Sequence, residues 1–293
     1  VAVSSPGKVL FGAGGHTKAD VIAYYRQVAG VMLPHLRDRP LTMQRFPRGI
    51  EAQGFFQKEA PDRFPAWIAR ARLEVLGEED SQEQVLCQDA ATLVYLANQN
   101  TITLHTWLSR RDRPQHPDRL AFDLDPSGVG FDAVRQGAWA LREMLGGLGL
   151  EPFVMTTGSR GLHVVVPLDR SATFDETRAF ARAVAEALAE REPECYTVQM
   201  RKAQRGQRVF IDYMRNGYAQ TAVAPYSLRA KPGAPVATPL DWEELADERL
   251  GPQSYTIDNL IRRIEERGDP WRGMDERAAA VQGPAERFRE AGR

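Results

Sequence analysis

Only two of the 293 residues are cysteine, Cys87 and Cys195. Two thiols cannot build a disulfide framework or a four-thiolate zinc site. Cys87 stands in an apolar stretch with helical periodicity and reads as a small core residue. No apolar run approaches the ~20 residues of a membrane span. The opening Val1-Ala2-Val3-Ser4 has no basic stretch leading into an apolar one, so no secretory signal is expected and cytoplasm is the default compartment. It also lacks an initiator Met, so a piece of a longer protein is expected. There is no G-x-G-x-x-G and no Walker A sequence, which sets aside dinucleotide-binding and P-loop readings. A large excess of basic charge is missing too. The formal net charge of −1 argues against an indiscriminate nucleic-acid binder.

What is present is a soluble globular balance. Hydrophobic residues make up 43% and charged residues 26%, enough apolar material at this length for one large domain or two closely joined ones. Thr17-Lys18-Ala19-Asp20 resembles a capping box and predicts a helix to about Pro34. Ser81-Gln82-Glu83-Gln84 predicts another, ahead of a helix over 85–97. Residues 101–107 alternate and read as a strand; 131–148 read as a helix closed by glycines. Strands are expected at 152–157 and 162–168, joined by the tight turn Gly158-Ser159-Arg160-Gly161. Thr173 opens a helix with the stripe Phe180, Val184 and Leu188. Further strands fit 208–214 and 220–225, and Thr256 is expected to cap a helix with Leu260, Ile261 and Ile264 on one face. The segment after Gly273 reads as a tail or linker. Strands and helices mix without strict βαβ alternation, so the expected class is α+β with mixed or antiparallel sheets.

The chemistry concentrates in three places. In Leu120-Ala121-Phe122-Asp123-Leu124-Asp125-Pro126 two carboxylates stand two residues apart in an apolar run. On a strand they project to one face while Phe122 and Leu124 enter the core. Neighbouring anions repel unless a cation sits between them, and hard oxygen donors favour Mg²⁺ or Mn²⁺. A strand end with two solvated Asp residues before a turn accounts for this segment equally well on its own.

The second place is the basic stretch 196–231, where Asp212 is the only acid among Arg201, Lys202, Arg205, Arg208, Arg215, Arg229 and Lys231, for a net +6 over 36 residues. Such a stretch suits an anion site with a metal ligand in it. An ion pair with Arg208 or Arg215 is the plainer account of Asp212. Placed beside Asp123 and Asp125, Asp212 would complete a three-carboxylate site able to hold two metals about 3.5–4 Å apart. The third is Thr156-Thr157-Gly158-Ser159-Arg160-Gly161-Leu162-His163, where hydroxyls, backbone N–H groups, an Arg and a His meet on one hairpin. Such a turn can bind phosphate oxygens.

L-A-F-D-L-D-P, T-T-G-S-R-G-L-H-V-V-V-P and V-F-I-D-Y, in that order, together with G-F-F-Q-K at 54–58 and D-P-W-R-G-M at 269–274, resemble the polymerase domain of bacterial ATP-dependent DNA ligase D. That domain is of the archaeo-eukaryotic primase superfamily and acts in non-homologous end joining. The resemblance runs from about residue 4 to 274 and implies a primase-like, RRM-like catalytic core flanked by helices, with an N-terminal α/β unit. It implies one domain over 1–275, with subregions near 1–115, 116–230 and 240–275, followed by a tail at 276–293.

The resemblance also implies roles. Asp123, Asp125 and Asp212 would bind two catalytic Mn²⁺ (or Mg²⁺) ions. His105, Thr157, Ser159, Arg160, His163, Arg215 and Arg229 would hold a nucleoside triphosphate, with Thr157 where the family usually has Ser. Phe55 and Phe56 match aromatics that meet the template strand. Lys8 and Lys18 match a pocket for the 5′-phosphate of a DNA gap, with Ser5 where Asn is frequent, and Arg205 falls in a loop linked to holding DNA ends. Gln44 stands where many members have Lys and carries no assignment.

The implied activity is template-directed and terminal addition of ribo- or deoxyribonucleotides to DNA 3′ ends at gaps and breaks. Expected partners are DNA ends bearing a 5′-phosphate, a Ku-like end-binding protein and covalently linked ligase and nuclease modules, in a bacterial cytoplasm at the nucleoid. Two alternatives stand beside it: a two-metal nuclease or phosphohydrolase, and an end-binding module without turnover.

Overall fold

Two reciprocal hydrogen bonds start the first long helix. Thr17 Oγ1 accepts from the Asp20 N–H at 3.3 Å, and Asp20 Oδ2 accepts from the Thr17 N–H at 2.7 Å. This is the expected capping box, and the helix runs Lys18–Leu36. The same device at Thr173 and Glu176 opens the helix Phe174–Arg191. The computed structural model describes residues 1–12, 14–74 and 81–291. They divide into two compact units.

The first unit comprises Val1–Asp112, Thr221–Thr238 and Gln253–Asp269. Its four-stranded antiparallel sheet has the order Thr221–Val223, Thr101–Trp107, Leu41–Arg45, Phe55–Gln57. The Lys18–Leu36 helix contributes Val21, Tyr25, Val28, Met32 and Leu36 to the core, all essentially fully buried and spaced three or four apart. Each such side chain stabilises the fold by about 1.5–3 kcal/mol. Cys87 lies in this core as expected.

Two local readings of this unit change. Residues Gln82–Val85 form a strand paired with Arg70–Leu73, and the helix begins only at Ala90. Asp89 caps it, accepting from the Thr92 N–H at 2.7 Å, where the sequence pointed to Ser81. The Thr256 cap shifts as well: the helix Leu260–Arg267 starts after Asn259, whose Oδ1 accepts from the Thr256 N–H. Pairing with Arg70–Leu73 lies outside any local signal, and it overrides the box-like spacing at Ser81.

The second unit comprises Arg113–Gln220, Pro239–Pro252 and Pro270–Arg293. Its six-stranded sheet has the order Tyr196–Thr197, Arg208–Asp212, Arg119–Ser127, Leu162–Pro167, Phe153–Thr156, Thr238–Leu240. The Tyr196–Thr197 pairing is parallel, and the pairings among the next four strands are antiparallel. The fold class is thus the expected α+β with mixed and antiparallel sheets. The helices Phe131–Gly147 and Phe174–Arg191 pack on this sheet. Gly137 of the former lies against Leu124 and Tyr196, so this helix covers the sheet face that carries Leu124. Asp123 and Asp125, one residue to either side, point to the opposite face.

The strand expected over 208–214 stops at Asp212 and gives way to the 3₁₀ turn Met214–Asn216. Trp271 is buried, with its indole N–H donating to Val154 O at 3.1 Å. Residues Gln282–Ala291 form a helix, and the Phe288 ring meets Phe180 edge-on. Among the described residues no helix is long and apolar enough to cross a membrane.

Candidate active site

Strand register builds the centre of the site. In Arg119–Ser127, Leu120, Phe122 and Leu124 are fully buried, which fixes Asp123 and Asp125 on the other face. Asp212 stands directly opposite Asp123 on one neighbouring strand, and His163 stands opposite Asp123 on the other. Directly paired residues project to the same face about 4.5–5.5 Å apart. Asp212, Asp123 and His163 therefore form one row across three strands, with Asp125 next along the middle strand. Three acids from two segments far apart in sequence come together as expected.

Basic side chains surround them. His163 Nε2 lies 3.5 Å from Asp123 Oδ1. Arg215 spans two acids, with Nη2 3.4 Å from Asp123 Oδ2 and Nε 3.7 Å from Asp212 Oδ2. Arg160 Nη2 is 3.6 Å from Asp125 Oδ1. Asp212 Oδ1 accepts from the Met214 N–H at 2.8 Å.

These neighbours split the acids electrostatically. Burial pushes the Asp123 carboxyl up, but His163 and Arg215 outweigh it and hold it below the ordinary carboxylate value. Burial and the charge of Asp123 raise Asp125, against the opposing pull of Arg160, His163 and Arg205. Burial likewise raises Asp212, reinforced by Asp123 and opposed by the Met214 N–H, Arg215 and Arg205. Two of the three acids are thus held in surroundings with too little positive charge. Among the described residues no three His, Cys, Asp or Glu side chains already converge on one metal-sized point. The donor set itself, three carboxylates on one face, is the hard-oxygen type that Mg²⁺ and Mn²⁺ select.

The hairpin turn at 157–161 sits beside Asp125. Thr157 holds it closed: its N–H and hydroxyl donate to Gly161 O, and its Oγ1 accepts from the N–H groups of Ser159 and Gly161. The Thr157 hydroxyl, expected at a phosphate, is engaged in shaping the turn. Gly158 adopts φ +61°. A Cβ at Gly161 would fall 1.8 Å from Leu124 O, so only glycine lets the turn lie this close to the strand of Asp125. Ser159 and Arg160 stand at its tip, Arg160 exposed.

Arg205 is placed differently from the other basic residues of its stretch. Its guanidinium lies over the Phe210 ring, 3.6 Å from the centroid, and donates to Gln199 O and Met200 O. It braces its loop from within and adds positive charge near Asp125 and Asp212.

The remaining predicted residues belong to the first unit. Lys18 is buried; its Nζ donates to Asn98 O at 3.1 Å and Ser4 Oγ at 3.3 Å. Burial and the charge of Lys8 lower its pKa. Lys8 Nζ donates to Pro47 O, and the Lys8 N–H donates to the carbonyl of Ser5, which adopts φ +48°. The two lysines and Ser5 are therefore neighbours, as expected. Phe55 and Phe56 are 46% and 61% exposed on an edge strand, and the Phe56 ring lies 5.6 Å from that of His105. Arg229 lies in a hairpin-like segment, its N–H donating to Pro235 O.

Sequence reasoning passed over Asn216. It is fully buried, and its carboxamide pairs with both backbone groups of Ala121. The only local signal was the Asn216-Gly217 dipeptide, which marks a turn.

Comparison with known proteins identifies the family. The family described as LigD, primase-polymerase domain, matches residues 17–271. The multifunctional non-homologous end joining protein LigD of Mycolicibacterium smegmatis is 35% identical over 272 residues, covering 92% of this chain and 35% of that protein. The bifunctional non-homologous end joining protein LigD of Bacillus subtilis is 33% identical over 270 residues, 90% of this chain and 42% of that protein. Among solved structures, the polymerase domain of Mycobacterium tuberculosis ligase D in complex with DNA superposes with a TM-score of 0.89 at 34% identity, covering 95% of this chain and 99% of that one. The chain spans roughly a third of the length of the first curated relatives it matches.

Proposed function

Since the chain belongs to the LigD primase-polymerase domain family, we propose that it is a metal-dependent nucleotidyltransferase adding ribo- or deoxyribonucleotides to DNA 3′ ends at gaps and breaks in non-homologous end joining. The observation that carries this reading is the row Asp212, Asp123, His163, with Asp125 beside it and Arg215 across two of the acids.

Asp123, Asp125 and Asp212 would hold two Mn²⁺ or Mg²⁺ ions, which when bound lower the pKa of a primer 3′-hydroxyl and neutralise the leaving pyrophosphate. Asp125 and Asp212, both raised by burial and by Asp123, are the acids with most to gain from an added cation. Arg160 is exposed at the tip of the turn, where its guanidinium can take phosphate oxygens bidentately. Ser159 and the backbone N–H groups of the turn add neutral donors. Arg215, within reach of two carboxylates, would contact triphosphate and acids together. His163, buried against Asp123, orients that carboxylate.

In the first unit, exposed Phe55 and Phe56 would stack on template bases, His105 and Arg229 would add nucleotide contacts, and Lys8, Lys18 and Ser5 would receive the 5′-phosphate across a gap. The solved relative's complex with DNA supports a nucleic-acid substrate. A Ku-like protein and linked ligase and nuclease modules are the proposed partners, at the nucleoid of a bacterial cytoplasm.

The test is primer extension on gapped DNA carrying a 5′-phosphate, with Mn²⁺ and a nucleoside triphosphate. The wild-type chain is expected to add nucleotides and Asp125→Ala to add none. Equal addition by both removes the metal-site assignment. Release of nucleotides from DNA without added triphosphate points instead to a nuclease, and selective binding of 5′-phosphorylated ends without turnover points to an end-binding module.

A further inference from the structure

The ladder between Arg208–Asp212 and Arg119–Ser127 ends at the pair Asp212 and Asp123. Beyond it the chain leaves the sheet in the turn Met214–Asn216, which would strand the N–H and C=O of Ala121 on that side. Asn216 takes up both. Its Oδ1 accepts from the Ala121 N–H at 2.8 Å, and its Nδ2 donates to Ala121 O at 2.7 Å. The carboxamide offers one acceptor and one donor, as the next residue of a paired strand would. Nδ2 also donates to Tyr213 O at 2.8 Å, and the Asn216 N–H donates to the same carbonyl at 3.2 Å, closing the turn on itself. At its other end the Met214 N–H is held by Asp212 Oδ1. The turn is therefore pinned on both sides of Arg215.

Arg215 is half-exposed and flexible in its stem, yet its guanidinium lies at 3.4 Å from Asp123 and 3.7 Å from Asp212. Where its Cα stands decides whether it can reach both acids. The chemistry at 216 is narrow. Asp lacks the donor for two carbonyls, Gln is a methylene too long, and Ala leaves both Ala121 groups unpaired in a fully buried place.

We propose that Asn216 is a positioning residue: by standing in for a strand residue opposite Ala121, it fixes the turn that holds Arg215 between Asp123 and Asp212, and so sets the affinity for a nucleoside triphosphate. This deepens the function proposed above and rests on it.

A double-mutant cycle tests it. A non-hydrolysable nucleoside triphosphate is titrated, with Mn²⁺ and again with EDTA, against wild type, Asn216→Asp, Arg215→Ala and the double variant. Thermal unfolding is recorded for each. Asn216→Asp is expected to weaken binding about tenfold, and to add less than about twofold once Arg215 is gone, because its effect passes through that side chain. It is expected to lower the melting temperature in both backgrounds, which separates the stability effect from the coupling. Equal weakening in both backgrounds, or no weakening in the single variant, overturns the proposal. If Asn216→Asp does not fold, Asn216→Ser, which keeps one hydrogen-bonding group, is carried through the same cycle with the same criteria. No loss of affinity in Arg215→Ala likewise overturns the proposal, since Asn216 acts through that side chain, whereas absence of triphosphate binding by wild type refutes the reading of the site itself.

Discussion

Asp212 faces Asp123 in direct register across two antiparallel strands, with Arg215 reaching both carboxylates. Like charges in paired positions work against a sheet. Here they are kept on a largely buried face, so the fold bears an electrostatic cost at the place where a substrate's cations would be useful. Sites of this kind trade stability for function.

The first prediction follows from that trade. Asp125 has its pKa raised in the fold, by burial first and then by Asp123. A carboxyl raised above its unfolded value favours the native state when protonated, and that advantage is lost as pH rises through the folded pKa. In EDTA, Asp125→Asn is therefore expected to melt above wild type at neutral pH, with the gap shrinking on acidification toward the ordinary carboxylate range; in a separate assay with Mn²⁺, primer extension by the variant is expected to be abolished. Asp123, lowered by His163 and Arg215 against burial, has the opposite sign: its contribution is present above the unfolded carboxyl pKa and lost as pH falls through the folded one. Thermal melts of both Asn variants between acid and neutral pH measure this. Asp125→Asn melting below wild type throughout would refute it.

Gly161 and Gly30 are predicted to respond oppositely to alanine. A Cβ at Gly161 meets Leu124 O at 1.8 Å, backbone against backbone, so Gly161→Ala should destabilise by about 1–3 kcal/mol or more and impair nucleotide addition. Gly30 sits exposed within the Lys18–Leu36 helix with nothing near its Cβ position, so Gly30→Ala should stabilise by about 0.5–1 kcal/mol and leave addition unchanged. Urea unfolding of both variants decides the matter.

Asp269 of the D-P-W-R-G-M stretch is a stability residue. Its Oδ2 lies 2.8 Å from His35 Nε2, and its Oδ1 accepts from the Tyr226 hydroxyl at 2.6 Å, both partners being buried. Removing one member of such a buried cluster costs ~3–5 kcal/mol. Asp269→Ala is expected to lose about that much in chemical denaturation. A loss under ~1 kcal/mol would show that the network carries little stability.

Phe55 and Phe56 are predicted to separate stability from binding. Both are exposed, so alanine at either should change stability by no more than about 0.5 kcal/mol. Affinity for a template strand should fall by ~1–3 kcal/mol for each base left unstacked. Fluorescence anisotropy with gapped and single-stranded DNA, alongside thermal melts, measures both. Unchanged DNA affinity in the double alanine variant would show that these rings do not meet the template.

Several pieces of the site were legible because their signals are local. The two-residue period placed Asp123 and Asp125 on one face, the spacing at Thr17 and Thr173 announced helix starts, and the glycines at 158 and 161 marked the turn. Other pieces depended on partners that the local pattern does not name. Gln82–Val85 became a strand because Arg70–Leu73 was there to pair with it. Arg205 went inward because Phe210 offered a ring and the loop carbonyls offered acceptors. Thr157 used its hydroxyl on the turn, and Asn216 was invisible until Ala121 was seen to need it.

The order of residues alone determined which carboxylates and bases this chain owns, which of them share a strand face, and which family they match, since alternation and motif spacing are written within a few neighbouring positions. Only the tertiary structure decided that Asp212 stands opposite Asp123 and that His163 stands on its other side. The choice of partner strand and register is made by burying apolar faces from remote segments together, and no single segment carries that information.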